Sequence, residues 1–340
     1  MNPITQRRLY QFKANKRGYY SFFIFMMIFF VTLGAEFIAS DKPLAVRYKD
    51  EIYFPIFKNY PETTFGGTFE TATNYRDPFV QNLINSHGFM IWAPIPYGIN
   101  TVNYGLNTPA PAPPSWDNLL GTDDQGRDVL TRLIYGFRIS ILFGLALTLG
   151  ASVIGVFTGA VQGYFGGRID LFMQRFIEIW SNLPVLYLLI ILSSMIEPNF
   201  WWLLMIMLTF SWMTLVGVVR AEFFRTRTLD YVRAAEALGV PSHRIIWRHM
   251  LPNAMVAVIT YLPFILNGSI ATLTSLDFLG FGLPPGSASL GEAITQAKNN
   301  IQAPWLGLTA FISISILLSL LIFTGEAVRD AFDARKIKAN

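Results

Sequence analysis

Adjacent carboxylates at Asp123 and Asp124, in "LLGTDDQGRDVLTRLIYGFRIS", are the closest this chain comes to an acid–base catalytic pair. Acidic residues just ahead of a periodic apolar run are more simply turn and capping chemistry, because they accept from the free amides of a helix's first turn. Arg175 and Glu178 stand one helical turn apart at the start of an apolar stretch, where ionisable groups are functional candidates. An i, i+3 ion pair that orients the helix accounts for them more simply. The histidines His87, His243 and His249 are scattered and make no metal set. With no cysteine there is no thiol chemistry, and with no Gly-Lys pair there is no phosphate-binding P-loop. The chain is therefore not expected to be an enzyme or to hold a cofactor or metal. Energy for any work must come from another subunit or an ion gradient.

The elements around these residues are mostly built for lipid. Of 340 residues, 52% are hydrophobic and only 14% charged, whereas soluble domains carry about 25% charged residues. Runs of about 20 apolar residues suffice to cross a bilayer. Six such runs are present: Tyr19–Ile38, Ile139–Ala160, Phe176–Ile196, Phe200–Val219, Met255–Leu276 and Trp305–Thr324. The third is the least regular, with Arg175, Glu178, Asn182 and Pro184 in or beside its first half. Arg7, Arg8, Lys13, Lys16 and Arg17 precede the first run with no acidic residue, which predicts a cytoplasmic N-terminus. Six crossings then return the C-terminus, with Arg329, Arg335, Lys336 and Lys338, to the same side. The net charge of +4 thus reports topology and gives no reason to expect nucleic acid. The first run is too long for the apolar core of a cleaved signal peptide and is read as a retained helix. Gly155, Gly159 and Gly163 make a small-residue stripe that admits a second helix backbone. Packing inside one bundle is its simplest use, and a dimer face the alternative.

Residues 40–118 are too many for a connecting loop and too aromatic for disorder. Pro, Gly, Asn and Tyr clusters predict short strands and turns in an irregular outer lobe, with "PAPAPPSW" as a stiff polyproline-like connector. Residues 119–138 follow; Val129, Leu130, Leu133, Ile134 and Phe137 define one helix face, opposite Asp128, Thr131, Arg132 and Arg138. An amphipathic helix along the outer interface, leading into the second span, is expected there.

Between the fourth and fifth runs lies "DYVRAAEALGVPSHRIIWRHMLPN", which reads like soluble protein. Leu229, Val232, Ala235 and Leu238 recur every third residue, and Ala234 and Ala237 keep the adjoining surface shallow. Gly239 can close the helix in the left-handed conformation and Pro241 suits the first turn of another, expected to stop at Pro252. A shallow helix invites insertion into a partner's groove, and an interfacial helix binding lipid head groups is an even alternative.

The same residues resemble the cytoplasmic signature of ABC-importer membrane subunits: Glu-Ala-Ala, three residues, Gly, nine residues, Ile-x-Leu-Pro. Arg233, Ala234, Ala235, Gly239, His249, Leu251 and Pro252 fall on that spacing, with Arg in place of Glu and His in place of Ile. "LGTDDQGRDVLTRLIYGFRIS", "GYFGGRIDLFMQRFIEIWSNLP", "SLDFLGFGLPP" and "GEAVRDAFD" are similar to segments of the dipeptide and oligopeptide permeases, with Asp277 for the usual Ser and Ala334 for the usual Pro. The enlarged outer segment is closest to permeases of microcin C and oligopeptide importers of Gram-negative bacteria. The resemblance implies an all-α polytopic membrane protein of the type I importer permease fold, with six transmembrane helices and an extra periplasmic lobe between the first two. Residues 1–39 would be the N-terminus and first helix, and 139–325 the permease core with a coupling helix at 230–252. Residues 326–340 would form a cytoplasmic tail.

It further implies a multi-pass subunit of the bacterial inner membrane, both termini cytoplasmic, importing oligopeptides or peptide antibiotics such as microcin C. A second homologous permease, cassette ATPase subunits carrying ATP and Mg, and a periplasmic peptide-binding protein would be its partners, with membrane lipid around it. Arg233, Ala234, Ala235, Gly239, Leu251 and Pro252 would be the ATPase-coupling residues. A nickel or glutathione permease of the same family is the alternative cargo reading. An ion-coupled carrier is the alternative class.

Overall fold

The computed structural model describes residues 3–332; Asp333, Ala334, Arg335, Lys336 and Lys338, on which the expectations for the C-terminus rest in part, lie outside them. Among the described residues five helices are long and apolar enough to cross a membrane, and a bent pair makes a sixth. The chain forms two compact units, one built from the segments up to Met26, Ser140–Pro285 and from Ser315 on, the other from Met27–Ile139 and Gly286–Ile314.

Helix α1 (Pro3–Ala14) precedes α2 (Lys16–Leu33), the first span. The span breaks at Gly34 and resumes as the single turn α3 (Ala35–Ile38), so it reaches the expected end at Ile38 but in two pieces. Glycine gains least from helical geometry after proline, and here it releases the chain.

The second span is α5 (Val129–Phe165). The third is α6 (Gly167–Ser181) and α7 (Val185–Ser193), bent by 61°. Pro184 lies in the break, where it can donate no hydrogen bond and disfavours helix at Leu183. The Asn182 side-chain amide caps the Glu178 carbonyl at 2.5 Å. Helices α8 (Phe200–Ser211) and α9 (Met213–Arg227) together form the fourth span.

The glycine stripe of α5 packs against α9. A Cβ on Gly159 would lie 2.8 Å from the Val219 Cβ and 2.9 Å from the Val216 carbonyl oxygen, and one on Gly155 2.5 Å from the Trp212 carbonyl oxygen. The stripe therefore serves packing within one chain. Gly159→Leu is expected to cost at least the 1–3 kcal/mol typical of overpacking, read as a lower midpoint in detergent thermal unfolding, while Gly217→Ala, whose Cβ would meet nothing within 4 Å, should not lower it.

After α9 come α10 (Asp230–Ala237), the short α11 (Ser242–Arg244), a π-helical turn (Ile245–Met250) and α12 (Leu251–Phe278). The helix expected to stop at Pro252 runs on instead, as one element from Ser242 to Phe278. A wide π turn just before the proline relieves the clash of its ring with the preceding turn. The His249 carbonyl is met by the Tyr231 hydroxyl at 3.3 Å and the Asn253 side-chain amide at 3.5 Å. Val219, Phe223, Val232, Ile245, Met250, Ala254 and Val258 form the core that joins these elements.

Residues between the first two spans fold as a small lobe. Strands β1 (Ala45–Tyr48), β2 (Glu51–Tyr53) and β3 (Gly88–Ile91) form an antiparallel sheet in the order β2-β1-β3, with α4 (Pro78–His87) beside it. Asp77 caps α4 by accepting from the Phe79 amide at 2.8 Å, and Pro78 suits its first turn. Phe65 is fully buried among Tyr48, Tyr53, Tyr60 and Tyr75 in edge-on contacts. Burial pushes the Tyr75 phenol up to about 12. Phe65→Ala should cost about 3–5 kcal/mol, enough to open the lobe to limited proteolysis at temperatures where the parent chain resists.

Residues 119–128 are turns and bridges, and no separate interfacial helix covers 119–138. The helix starts at Val129 and continues into the second span, with Asp128 accepting from the Thr131 amide at 2.7 Å. Its polar side is buried: Asp123, Arg127, Asp128, Thr131 and Arg132 are all nearly inaccessible. Asp123 takes the Arg127 guanidinium at 2.6 Å and stands 3.5 Å from Arg132. Arg132 in turn donates to the carbonyls of Ile99, Gly286 and Ser287. The period-3.6 pattern was compatible with polar residues facing water, but chain from residues 97–122 and 286–289 supplies their partners instead. The polyproline-like stretch is likewise tied down, Ala112 and Thr122 exchanging hydrogen bonds at 2.8 and 2.9 Å. Helices α13 (Leu290–Asn299), capped by Ser289, and α14 (Pro304–Phe332), the sixth span, complete the fold.

Candidate functional site

Helix α10 is held to the membrane-spanning elements by one face. Val232 and Ala235 are buried against Phe223, Ile245 and Met250, while the Tyr231 hydroxyl accepts from the Asn253 side chain at 2.7 Å. Its end is a Schellman motif: the Gly239 amide donates to the Glu236 carbonyl and the Val240 amide to the Ala235 carbonyl, at 3.0 and 3.1 Å. Gly239 adopts φ 76°, a conformation that a side chain would strain.

The other face is open. Arg233, Ala234, Ala237 and Gly239 are exposed, and Leu238 is 84% exposed at the tip. Leu229 and Leu238 were expected on one apolar stripe with Val232 and Ala235; only the middle pair is buried, and the outer leucines stand in the open. Trp247, Arg244 and Arg248 add exposed apolar and cationic surface next to it. Arg233 makes no hydrogen bond or ion pair among the described residues. An exposed leucine on a shallow helix has the form of the apolar anchors that helix-binding grooves accept.

The predicted site residues divide accordingly. Arg233, Ala234 and Gly239 share the open side. Ala235 belongs to the chain's own core and seats the helix. Leu251 is half-buried and Pro252 exposed in the first turn of α12. Ala237 and Leu238 complete the open surface; the exposure of Leu238 was not legible because the third-residue repeat placed it among buried positions. The Arg175–Glu178 pair is the expected i, i+3 ion pair, at 2.6 Å on an exposed face. A bidentate bridge from Arg220 to Asp170 at 2.5 and 2.6 Å ties α6 to α9, across a sequence distance at which pairing cannot be read. Among the described residues no cluster of His, Cys, Asp or Glu could hold a metal.

Residues 136–338 match the family of binding-protein-dependent transport system inner membrane components. The chain belongs to that family. It is 60% identical over 336 residues to the inner membrane ABC transporter permease protein YejE of Escherichia coli strain K12, covering 99% of this chain and 98% of the relative. It is 57% identical over 359 residues to the peptidoglycan transport system permease protein YejE of Agrobacterium fabrum, covering 98% and 94%. The oligopeptide transport system permease protein OppC of Lactococcus lactis strain IL1403 is 37% identical over 229 residues, 66% of this chain and 78% of that one. Membership makes this a multi-pass component of the inner membrane that works with a substrate-binding protein, and it sets aside the ion-coupled carrier. The family match starts at residue 136, so the lobe lies outside it, yet both YejE relatives align over nearly the whole chain.

Proposed function

We propose that this chain is the permease subunit of an ATP-driven importer of oligopeptides or peptide antibiotics such as microcin C. A second homologous permease would complete the pore. A periplasmic peptide-binding protein would deliver cargo, and cassette ATPase subunits would hold ATP and Mg. The observation that carries this reading is the open face of α10, an exposed Leu238 beside Ala234, Ala237 and Gly239 on a helix whose other face is seated in the bundle. Such a face transmits movement: a partner gripping Leu238 pushes through Val232, Ala235 and Tyr231 on α9 and α12. Basic residues before the first span and between the fourth and fifth support a cytoplasmic position for both termini and for α10. Nickel and glutathione are less well supported as cargo, because the relatives' names speak of oligopeptide and peptidoglycan transport. Purifying the tagged chain in mild detergent tests the assembly: a second permease and an ATPase should copurify, and their absence from an intact preparation would sink the reading.

The lobe would stand on the periplasmic side as part of the binding-protein dock or as a lid over the path. Removal of residues 42–109 is expected to lower binding-protein affinity and uptake at least tenfold, the loss of about 1.4 kcal/mol. Unchanged affinity and uptake in a chain that still inserts would remove that role.

A further inference from the structure

Helices α9, α12 and α14 enclose an open groove of ≈ 510 Å³ at the same end of the spans as α10. Its polar lining comprises Glu222 and Arg225 on α9, Asn253 and Thr260 on α12, and Arg329 on α14. Glu222 pairs with Arg225 but leaves that guanidinium largely open. Arg329 makes no hydrogen bond or ion pair among the described residues. The Thr260 hydroxyl is committed to the Ala257 carbonyl at 2.6 Å and the Asn253 amide nitrogen to Tyr231. The groove thus offers two guanidiniums against one carboxylate, a net positive site for a small anion.

The surface leading from the groove into the membrane shows what kind of anion. On α9, Gly217 and Ala221 continue the line of Arg225, and on α12 Gly268 and Ser275 continue that of Ala257; all four are exposed. A Cβ at Gly217 or Gly268 would meet nothing within 4 Å. Elsewhere the spans expose bulky apolar residues: Leu149, Val153 and Phe157 on α5, Leu308 and Phe311 on α14. Lipid tails call for the second kind of surface. A phospholipid headgroup in the groove would need a continuous bulky apolar wall beside it for its chains; the α9 and α12 walls are broken by the small residues Gly217, Ala221, Gly268 and Ser275, with Tyr261 a large exposed side chain among them.

We propose that the groove is the inner end of the cargo path, and that Arg225 and Arg329 form a carboxylate-binding station for peptides leaving the membrane. The proposal rests on the peptide-import reading and adds a binding site and a recognised group to it. Glu222 tempers the positive charge, as a station that must release its cargo requires. Its neighbour Asn253 also holds Tyr231 of α10, so cargo in the groove lies one residue from the helix proposed to meet the ATPase.

The complete complex, reconstituted with its binding protein and ATPase, tests this with a photo-reactive residue in place of Val256 in the groove and, as a control, in place of Phe311. Radiolabelled tripeptide with a free C-terminal carboxylate should label position 256 and not 311 during ATP turnover, and the matching tripeptide amide should label it about three- to tenfold less, the effect of losing an exposed charge-assisted contact. Arg225→Gln with Arg329→Gln should abolish that difference. Equal labelling by acid and amide, unchanged preference in the double variant, or adducts only with phospholipid or a second permease would overturn the proposal. If peptide accumulates in the vesicles without labelling the groove, only the station falls; if no peptide accumulates with the unmodified chain, the import reading falls with it.

Discussion

Leu238→Glu is expected to leave the chain folded and inserted but to uncouple it from its energy source. The side chain is 84% exposed and contributes almost nothing to the chain's own core, so its loss should not shift thermal unfolding. At an interface the same position would be a buried apolar knob, and placing a charge there costs what a hot-spot residue is worth, 2 kcal/mol or more, about 30-fold. Cargo-stimulated ATP hydrolysis and uptake in proteoliposomes should therefore fall by roughly that factor, with less ATPase copurifying. Leu238→Met should retain both. Val232→Glu provides the contrast: its side chain is fully buried among Phe223, Ile245 and Met250, and it should fail as a folding defect. Gly239→Arg mixes the two effects, since φ 76° strains any side chain while the space beyond is open. An exposed substitution on a neighbouring residue is the cleaner probe.

Arg132→Leu should have a large effect on folding. The guanidinium reaches the carbonyls of Ile99, Gly286 and Ser287 and lies 3.5 Å from Asp123, which is itself 2% exposed. Removing one member of a buried ionic group leaves the others without compensation and costs about 3–5 kcal/mol. Three carbonyls also lose a donor. The expected result is a sharp fall in folded yield, or a thermal midpoint in detergent far below the parent's. Arg138→Leu removes a better-solvated pair, with Glu36 at 2.7 Å, and should cost no more than about 1 kcal/mol. Equal stability of the two variants would show that burial of the Asp123 group is not what holds this region.

Spans were legible because twenty apolar residues leave few options in water or lipid, and Gly239 because a helix that ends in a left-handed residue selects glycine. Four features were not. Pro252 signalled a stop, but a π turn absorbed it. Asp128, Thr131 and Arg132 had the spacing of a wet helix face, and only the fold brings chain from residues 97–122 and 286–289 over them. The leucines flanking α10 shared a repeat with Val232 and Ala235, yet an eight-residue helix seated on a bundle can bury only its middle. Arg329 was counted as a topology charge, and the groove it shares with Arg225 depends on contacts among three spans. For the buried polar group and the groove the missing information was long-range pairing, which local periodicity cannot encode.

The central claim is that α10 meets an ATPase. The chain contains no cysteine, so Leu238→Cys introduces its only thiol. A short thiol-reactive crosslinker applied to the assembled complex in membranes should join position 238 to the ATPase subunit. A control thiol from Trp116→Cys, a position still more exposed in the native chain but far along the sequence on the lobe side, should not. Labelling of position 238 by water-soluble reagent with no ATPase adduct, or an ATPase adduct from position 116 instead, would contradict the account.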